Sequence, residues 1–265
     1  MEIAIKTQNA WEIVEGSGPI IAAAIHDGHA VREELLSLIA LSEADRLHEE
    51  DPHTSVWANV APSRIIGKRS RFEVDLNRPR EKAVYQVPED AWGLKVWHEP
   101  LPPDLLERSL EEYDQFYSAV GQLLDNTVKR EGRAVVYDLH TYNHHRAGPD
   151  APYDDPSLNP QVNLGTGTMD RSRWAVVVDR FLEDLQEFDF PGGRLDVREN
   201  VKFRGGNFGK WIHEHYPDSV CVLSIEFKKF FMDEWTGVAE EETVGAIKSA
   251  LESTLPGVRE ELAKL

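Results

Sequence analysis

The stretch "RAVVYDLHTYNHHR", Arg133 to Arg146, decides how the rest of the chain is read. Its first half, "RAVVYDL" (133–139), has the length and the β-branched, apolar composition of a strand buried on both faces. It then releases Asp138, His140, Asn143, His144 and His145 in quick succession. Immediately upstream, Leu106, Leu110, Tyr113, Tyr117, Val120, Leu124 and Val128 recur at spacings of three or four, with Pro103 at the start and Gly132 past the end. That pattern predicts an amphipathic helix over 103–131. A helix feeding a fully buried strand is the repeating unit of an α/β fold.

Working outward, the runs "PIIAAAI" (19–25), "WAVVVD" (174–179) and "SVCVLSIEF" (219–227) read as further buried strands. The alternating "RFEVDLN" (71–77) reads as a strand with one polar face. Helical patterns cover roughly 30–50 and begin again near Glu240, where Val244, Ile247, Leu251 and Leu255 share a face and Pro256 bends or restarts the helix. There is no internal repeat and no Gly/Ser-rich linker. The expectation is one α/β domain over 1–265 with a largely parallel or mixed sheet, and with 146–170 and 189–209 as loops over its edge.

Composition narrows the function. A formal charge of −18 repels a phosphate backbone, and the short basic clusters Lys68–Arg69 and Lys228–Lys229 form no binding stripe. No nucleic-acid or anionic-membrane partner is expected. A single cysteine, Cys221, excludes an intrachain disulfide framework and any zinc site built mainly from thiolates. A metal, if present, must be held by histidine and carboxylate. The opening "MEIAIKTQNAWEIVEGSGP" lacks a basic start followed by an apolar run, so a cytoplasmic location is expected.

Ligands of open α/β sheets sit at the carboxyl ends of strands, so the residue after each apolar run carries the interest. His26 follows the first run and His140 follows "AVVYDL". Two imidazoles, a carboxylate and an open position are what a catalytic zinc requires, with a water whose pKa falls toward ~7. The run "HEEDPHT" (48–54) offers Glu49, Glu50 or Asp51 as the carboxylate, and Pro52 ends the helix at Asp51. Asp138 shares a strand face with His140 and can accept a hydrogen bond from it. His144 and His145 are expected in a mobile loop, at least one of them exposed and neither a ligand.

The stretch "KRSRFEVDLNRPR" (68–80) carries five basic residues. Arg78, beside Asn77, can fork onto an anionic substrate, Arg71 can hold a developing oxyanion, and Asp75 can orient one of these arginines. A salt-bridged surface strand is the alternative reading. Glu226, in "LSIEFKKFFMDE", is a carboxylate in an apolar strand; burial would raise its pKa and suit it to work as a general base. Gly205 and Gly206 precede a helical pattern and let backbone N–H groups approach a ligand.

Taken together, "IHDGH", "SRFEVDLNRP", "DLHTYN", "NLGT" (163–166), "NVKFRGGNFG" and "SIEF" resemble, in order and approximate spacing, the N-formylglutamate amidohydrolase family, itself similar to zinc carboxypeptidases and aspartoacylases. The resemblance spans roughly residues 18–235. It implies a three-layer α/β/α sandwich with a central mixed sheet of the zinc-exopeptidase type. It also implies one zinc ion and cleavage of the amide of a small N-acyl amino acid. Carried over motif by motif, His26, Asp51 and His140 would hold the metal, Glu226 and Arg71 would be catalytic, and Asn77 with Arg78 would bind the substrate carboxylate. Two departures stand out: zinc carboxypeptidases use H-x-x-E, whereas His29 occupies the last position here and stays a candidate ligand, and the family's "PHSG" is "IHDGH".

Overall fold

The strand at the centre of the reading, β4 (Ala134–Tyr142), is buried along its whole length and pairs in parallel with β2 (Ile20–Ala24) on one side and β7 (Val220–Lys228) on the other. In this computed structural model, which describes residues 10–265, four shorter strands complete a mixed seven-stranded sheet. They are β1 (Trp11–Val14), β3 (Ser63–Gly67), β5 (Val162–Gly165) and β6 (Val197–Glu199), giving the order β1-β3-β2-β4-β7-β5-β6. β1 is antiparallel to β3 and β5 is antiparallel to β7; the other pairs are parallel. Of the opening stretch whose composition suggested no targeting signal, residues 1–9 lie outside the described range.

Side-chain alternation along the central strands builds two cores, one on each face of the sheet. Val135, Tyr137 and Leu139 of β4 join Trp57 from α2 (Thr54–Ala58), Phe181 from α4 (Ala175–Glu187) and Leu251 from α6 (Glu241–Leu262). Ala134 and Val136 face the other way, against Phe116 and Val120 of α3 (Pro103–Glu131) and Phe208 and Ile212 of α5 (Asn207–His215). The result is the expected α/β/α sandwich. On the α3/α5 face the apolar series stops partway: Asp138 and His140 follow Val136 on β4, and Ser224 and Glu226 follow Val222 on β7. This polar half, at the carboxyl ends of parallel strands, is where the fold opens to a ligand.

The helix over 103–131 forms as the periodicity predicts and ends at Gly132, whose φ of 82° suits a residue without a Cβ. Near the C-terminus, the helix runs through Pro256 to Leu262 instead of restarting there. Gly257 lets α6 approach α4, since a Cβ there would lie 2.1 Å from Asp184 Oδ2.

Three expected elements differ. "WAVVVD" is not a strand: it enters α4, which buries Val177, Val178, Phe181 and Leu185 on one helical face. Six residues are too few to separate the two periods, and the partners Phe181 and Leu185 lie beyond the run. The 30–50 segment is not one helix. A 3-10 turn at Glu33–Leu35 is followed by α1 (Glu43–Glu49), which begins at a Ser42/Asp45 capping box. "RFEVDLN" forms turns, with Glu73 N–H donating to Ser70 O (3.0 Å) and Arg78 N–H to Asp75 O (3.2 Å). Its alternation is real, because Phe72, Val74 and Leu76 enter the core, but Glu73 and Asp75 are equally buried. Arginines neutralise them: Arg32 and Arg69 at Glu73, and Arg71 at Asp75. The two expected long loops contain β5 and β6. No helix among the described residues is long and apolar enough to cross a membrane.

Candidate active site

His140 and Glu226 face each other in register on β4 and β7, inside the strands and not beyond their ends. His26 follows β2, and its carbonyl accepts the Asp51 N–H at 3.0 Å, which draws the chain after α1 into the sheet. Asp51 Oδ2 lies 2.9 Å from His140 Nδ1 and 3.4 Å from His26 Nδ1. These three buried residues are the only group among the described residues able to converge at least three His, Cys or carboxylate ligand atoms on one ion. Glu50 and His29, the alternatives left open by the sequence, pair with each other at 2.6 Å, and Glu50 also accepts the Ser70 hydroxyl.

The far nitrogens of both imidazoles are spoken for. His26 Nε2 meets Asp75 Oδ1 at 2.7 Å, and His140 Nε2 meets Asp138 Oδ1 at 3.0 Å. A carboxylate behind each ring fixes its orientation and turns Nδ1 toward Asp51, the arrangement that metal-binding histidines use. His26 Nδ1 is buried with no hydrogen-bond partner, an expensive state for a protein-only site and a natural one for a metal ligand. Three carboxylates around two rings also leave negative charge for a divalent cation. Burial opposes ionisation of Asp51, but the hydrogen bond to His140 and the electrostatic pull of both imidazoles hold the carboxyl far below the usual range. The residues present fit a zinc ion. Asp51 supplies an anion ready to bind at any ordinary pH.

Asp75 joins this cluster to Arg71. Its Oδ2 accepts from Arg71 Nη2 (2.8 Å) and from the Tyr85 hydroxyl, so one carboxylate holds both a candidate ligand and a candidate catalytic cation. Arg71 also donates to Glu49 O (3.3 Å), lies 4.9 Å from the centre of the Trp92 ring, and keeps its buried Nε without a partner. Asn77 accepts the Phe208 N–H at the start of α5 (2.9 Å) through Oδ1, while Nδ2 sits 3.4 Å from His140 Nε2. Gly206 makes this possible, because a Cβ there would lie 2.2 Å from Asn77 Oδ1. Arg78 is 39% exposed, its Nε 3.8 Å from Asp75. The turn carrying Asn77 and Arg78 is stapled to α3 by hydroxyls of Tyr113, on Arg78 O (2.8 Å), and Tyr117, on Leu76 O (2.7 Å).

His26, Asp51, Arg71, Asn77, Arg78, His140 and Glu226 all line one cleft of about 760 Å³. Burial, opposed by His140 and reinforced by Asp51 and Asp138, pushes the Glu226 carboxyl up to about 8. Sequence reading missed Trp92, Lys202, Arg204, Lys210 and Lys229 in the same lining. Lys229 is 2% exposed, and burial pushes its ammonium down to about 8. Its position three residues beyond Glu226 was the available signal. His144 and His145 depart from the expected exposure. Both pack against Tyr153, and Glu234 accepts their backbone N–H groups at 2.6 and 3.1 Å. Neither lines the cleft.

The mixed sheet, with a buried His–Asp–His group and a charged cleft at the carboxyl ends of its parallel strands, defines an α/β protein built around a candidate metal site. Residues 18–232 match the N-formylglutamate amidohydrolase family, and the chain belongs to that family. Among solved structures, it is similar to N-formylglutamate amidohydrolase from Ralstonia eutropha JMP134, with a TM-score of 0.73 at 15% identity over 97% of this chain and 99% of that one. It is also similar to a gene product of Agrobacterium tumefaciens, with a TM-score of 0.66 at 16% identity over 94% and 96% of the two chains. At these identities the likeness speaks for the fold. No curated protein sequence matches the chain.

Proposed function

We propose that the chain is a single-domain, zinc-dependent amidohydrolase that removes the acyl group from an N-acyl amino acid, N-formylglutamate being the leading substrate. The observation that carries the reading is the convergence of Asp51 Oδ2 with two Nδ1 atoms, next to Glu226 and Arg71 in one cleft. His26, Asp51 and His140 would hold the ion. When bound, zinc supplies an acidified water and polarises the amide carbonyl. Glu226, ionised, takes the proton from the attacking water at its carboxylate and returns it to the departing amine nitrogen. Arg71 offers its guanidinium to the carbonyl oxygen as charge gathers there, and Asp75 keeps it aimed. Arg78 and the Asn77 amide clamp the α-carboxylate.

The lining supports a substrate with more than one anionic group. Seven cationic side chains face four carboxylates there, in a protein whose net charge is −18. Lys202 and Arg204 line the cleft from the segment after β6, the Lys202 ammonium resting on Asn159 Oδ1 and over the Tyr142 ring. Asn163 is in register with Glu226, and its side chain binds the Lys202 N–H (2.8 Å) and Phe203 O (2.9 Å). A second carboxylate, such as that of a glutamate side chain, suits this wall. The volume also favours a second reading, hydrolysis of a short acidic peptide or a bulkier N-acyl amino acid, since clefts of this size accept drug-sized ligands.

Turnover of a panel comprising N-formyl-L-glutamate, other N-acyl amino acids and acidic dipeptides tests the assignment. Preference for the N-formyl compound supports it, preference for a dipeptide selects the second reading, and no hydrolysis of any member contradicts both. Arg71→Ala is expected to lower kcat by about 10²–10³. Arg78→Ala should raise KM for a free carboxylate while leaving the same substrate's amide unaffected. An equal loss on both would show that Arg78 is not the carboxylate anchor.

A further inference from the structure

The candidate metal triad takes His140 from β4 and His26 from just past β2, but Asp51 follows α1, a helix with little of its own to hold it in place. Of its seven residues only Arg46 is buried, so α1 contributes no fully buried apolar anchor to the core. Helices this short are not self-supporting. Tertiary ties must therefore set where Asp51 lies.

Asp51 itself is held by its N–H on His26 O (3.0 Å) and by the Thr141 hydroxyl on Oδ1 (3.1 Å), while the helix that delivers it is held through the His48 carbonyl, one of the acceptors that the last turn of a helix leaves unpaired. That carbonyl accepts Lys229 Nζ at 2.6 Å and Asn143 Nδ2 at 2.8 Å. Both donors are 2% exposed, and Lys229 N–H donates to Tyr142 O at 2.9 Å, which ties Lys229 to the end of β4 beside Asn143. The spacing is regular: Asn143 lies three residues past His140, Lys229 three past Glu226, and Asp51 three past His48. A cation near a helix C-terminus also complements its partial negative charge. Weaker ties accompany these: the His48 ring meets Glu234 O at 2.9 Å, and Arg71 reaches Glu49 O at 3.3 Å.

We infer that Lys229 and Asn143 are positioning residues, which fasten the His48 carbonyl to the ends of β7 and β4 and thereby hold Asp51 at ligand distance from His26 and His140. The inference rests on the metal site proposed above. It gives a reason for keeping a buried ammonium, a costly group, where a smaller apolar side chain would pack.

Zinc affinity is the direct readout, measured on the full chain by competition with a chromophoric chelator, together with thermal unfolding of the metal-free protein. Asn143→Ala removes one donor without changing charge; Lys229→Met removes the other. Each is expected to weaken zinc binding about 10–100-fold, in the range for partners that orient ligands, while the metal-free protein melts near the wild-type temperature. Wild-type zinc affinity in both variants would overturn the inference, as would an affinity loss matched by a large drop in the melting temperature of the metal-free protein. Failure of the unaltered chain to bind zinc would instead overturn the metal site itself.

Discussion

Glu226→Gln is expected to reduce kcat by about 10²–10⁴-fold, the contribution of a positioned proton-transfer group, with KM and zinc content close to wild type. The amide keeps the shape of the side chain but cannot accept a proton. Zinc content should survive because Glu226 stands outside the His26–Asp51–His140 group. The wild-type pH profile carries the same information. Below its pKa, Glu226 is protonated and cannot act as base, so kcat/KM should climb with pH and level off above it. Burial places that pKa near 8, and a bound cation beside it would move the limb lower. A variant within tenfold of wild type, or a flat profile across pH 5–9, would remove Glu226 from the mechanism.

Asp51→Asn should cost the metal. The carboxylate is the only anion among the three candidate ligands, and its Oδ2 is the point on which both imidazoles converge. An amide of the same shape offers a neutral oxygen on one side and, on the other, a donor that repels a cation. The expected outcome is loss of stoichiometric zinc and no measurable turnover, in a protein that still folds because the sheet does not depend on Asp51. Substituting Glu50 or His29 should leave zinc content near wild type, since these residues pair with each other away from the cluster. The reverse pattern would move the metal site.

Much of this was legible in the sequence because the signals were local. "AVVYDL" and "VCVLSIEF" carry their burial in their composition, and α3 carries its period over eight turns with a stop at Gly132. His26, Asp51 and His140 could be named from strand ends, a proline-terminated helix and a family resemblance. What escaped depends on partners distant in the chain. Alternation in 71–77 suggested a half-exposed strand, since nothing nearby reveals that Arg32 neutralises Glu73 or that Tyr85 and His26 complete Asp75. Tyr113 and Tyr117 showed only as members of a helical stripe, although their hydroxyls hold the Asn77–Arg78 turn. Lys229 looked like half of a basic pair, and only the fold brings it to the His48 carbonyl, 181 residues away in the chain. His144 and His145 are set aside as ligands in spite of their abundance near the site, but their packing against Tyr153 and their ties to Glu234 depend on residues too distant in the chain to be read.

Elemental analysis coupled to turnover shows whether His26, Asp51 and His140 hold a zinc ion that Glu226 and Arg71 serve. Purified protein should carry one zinc per chain, lose hydrolysis of N-formyl-L-glutamate when a chelator strips the ion, and regain it on addition of zinc. Full hydrolytic activity in protein shown to contain no metal would rule out a zinc-dependent mechanism.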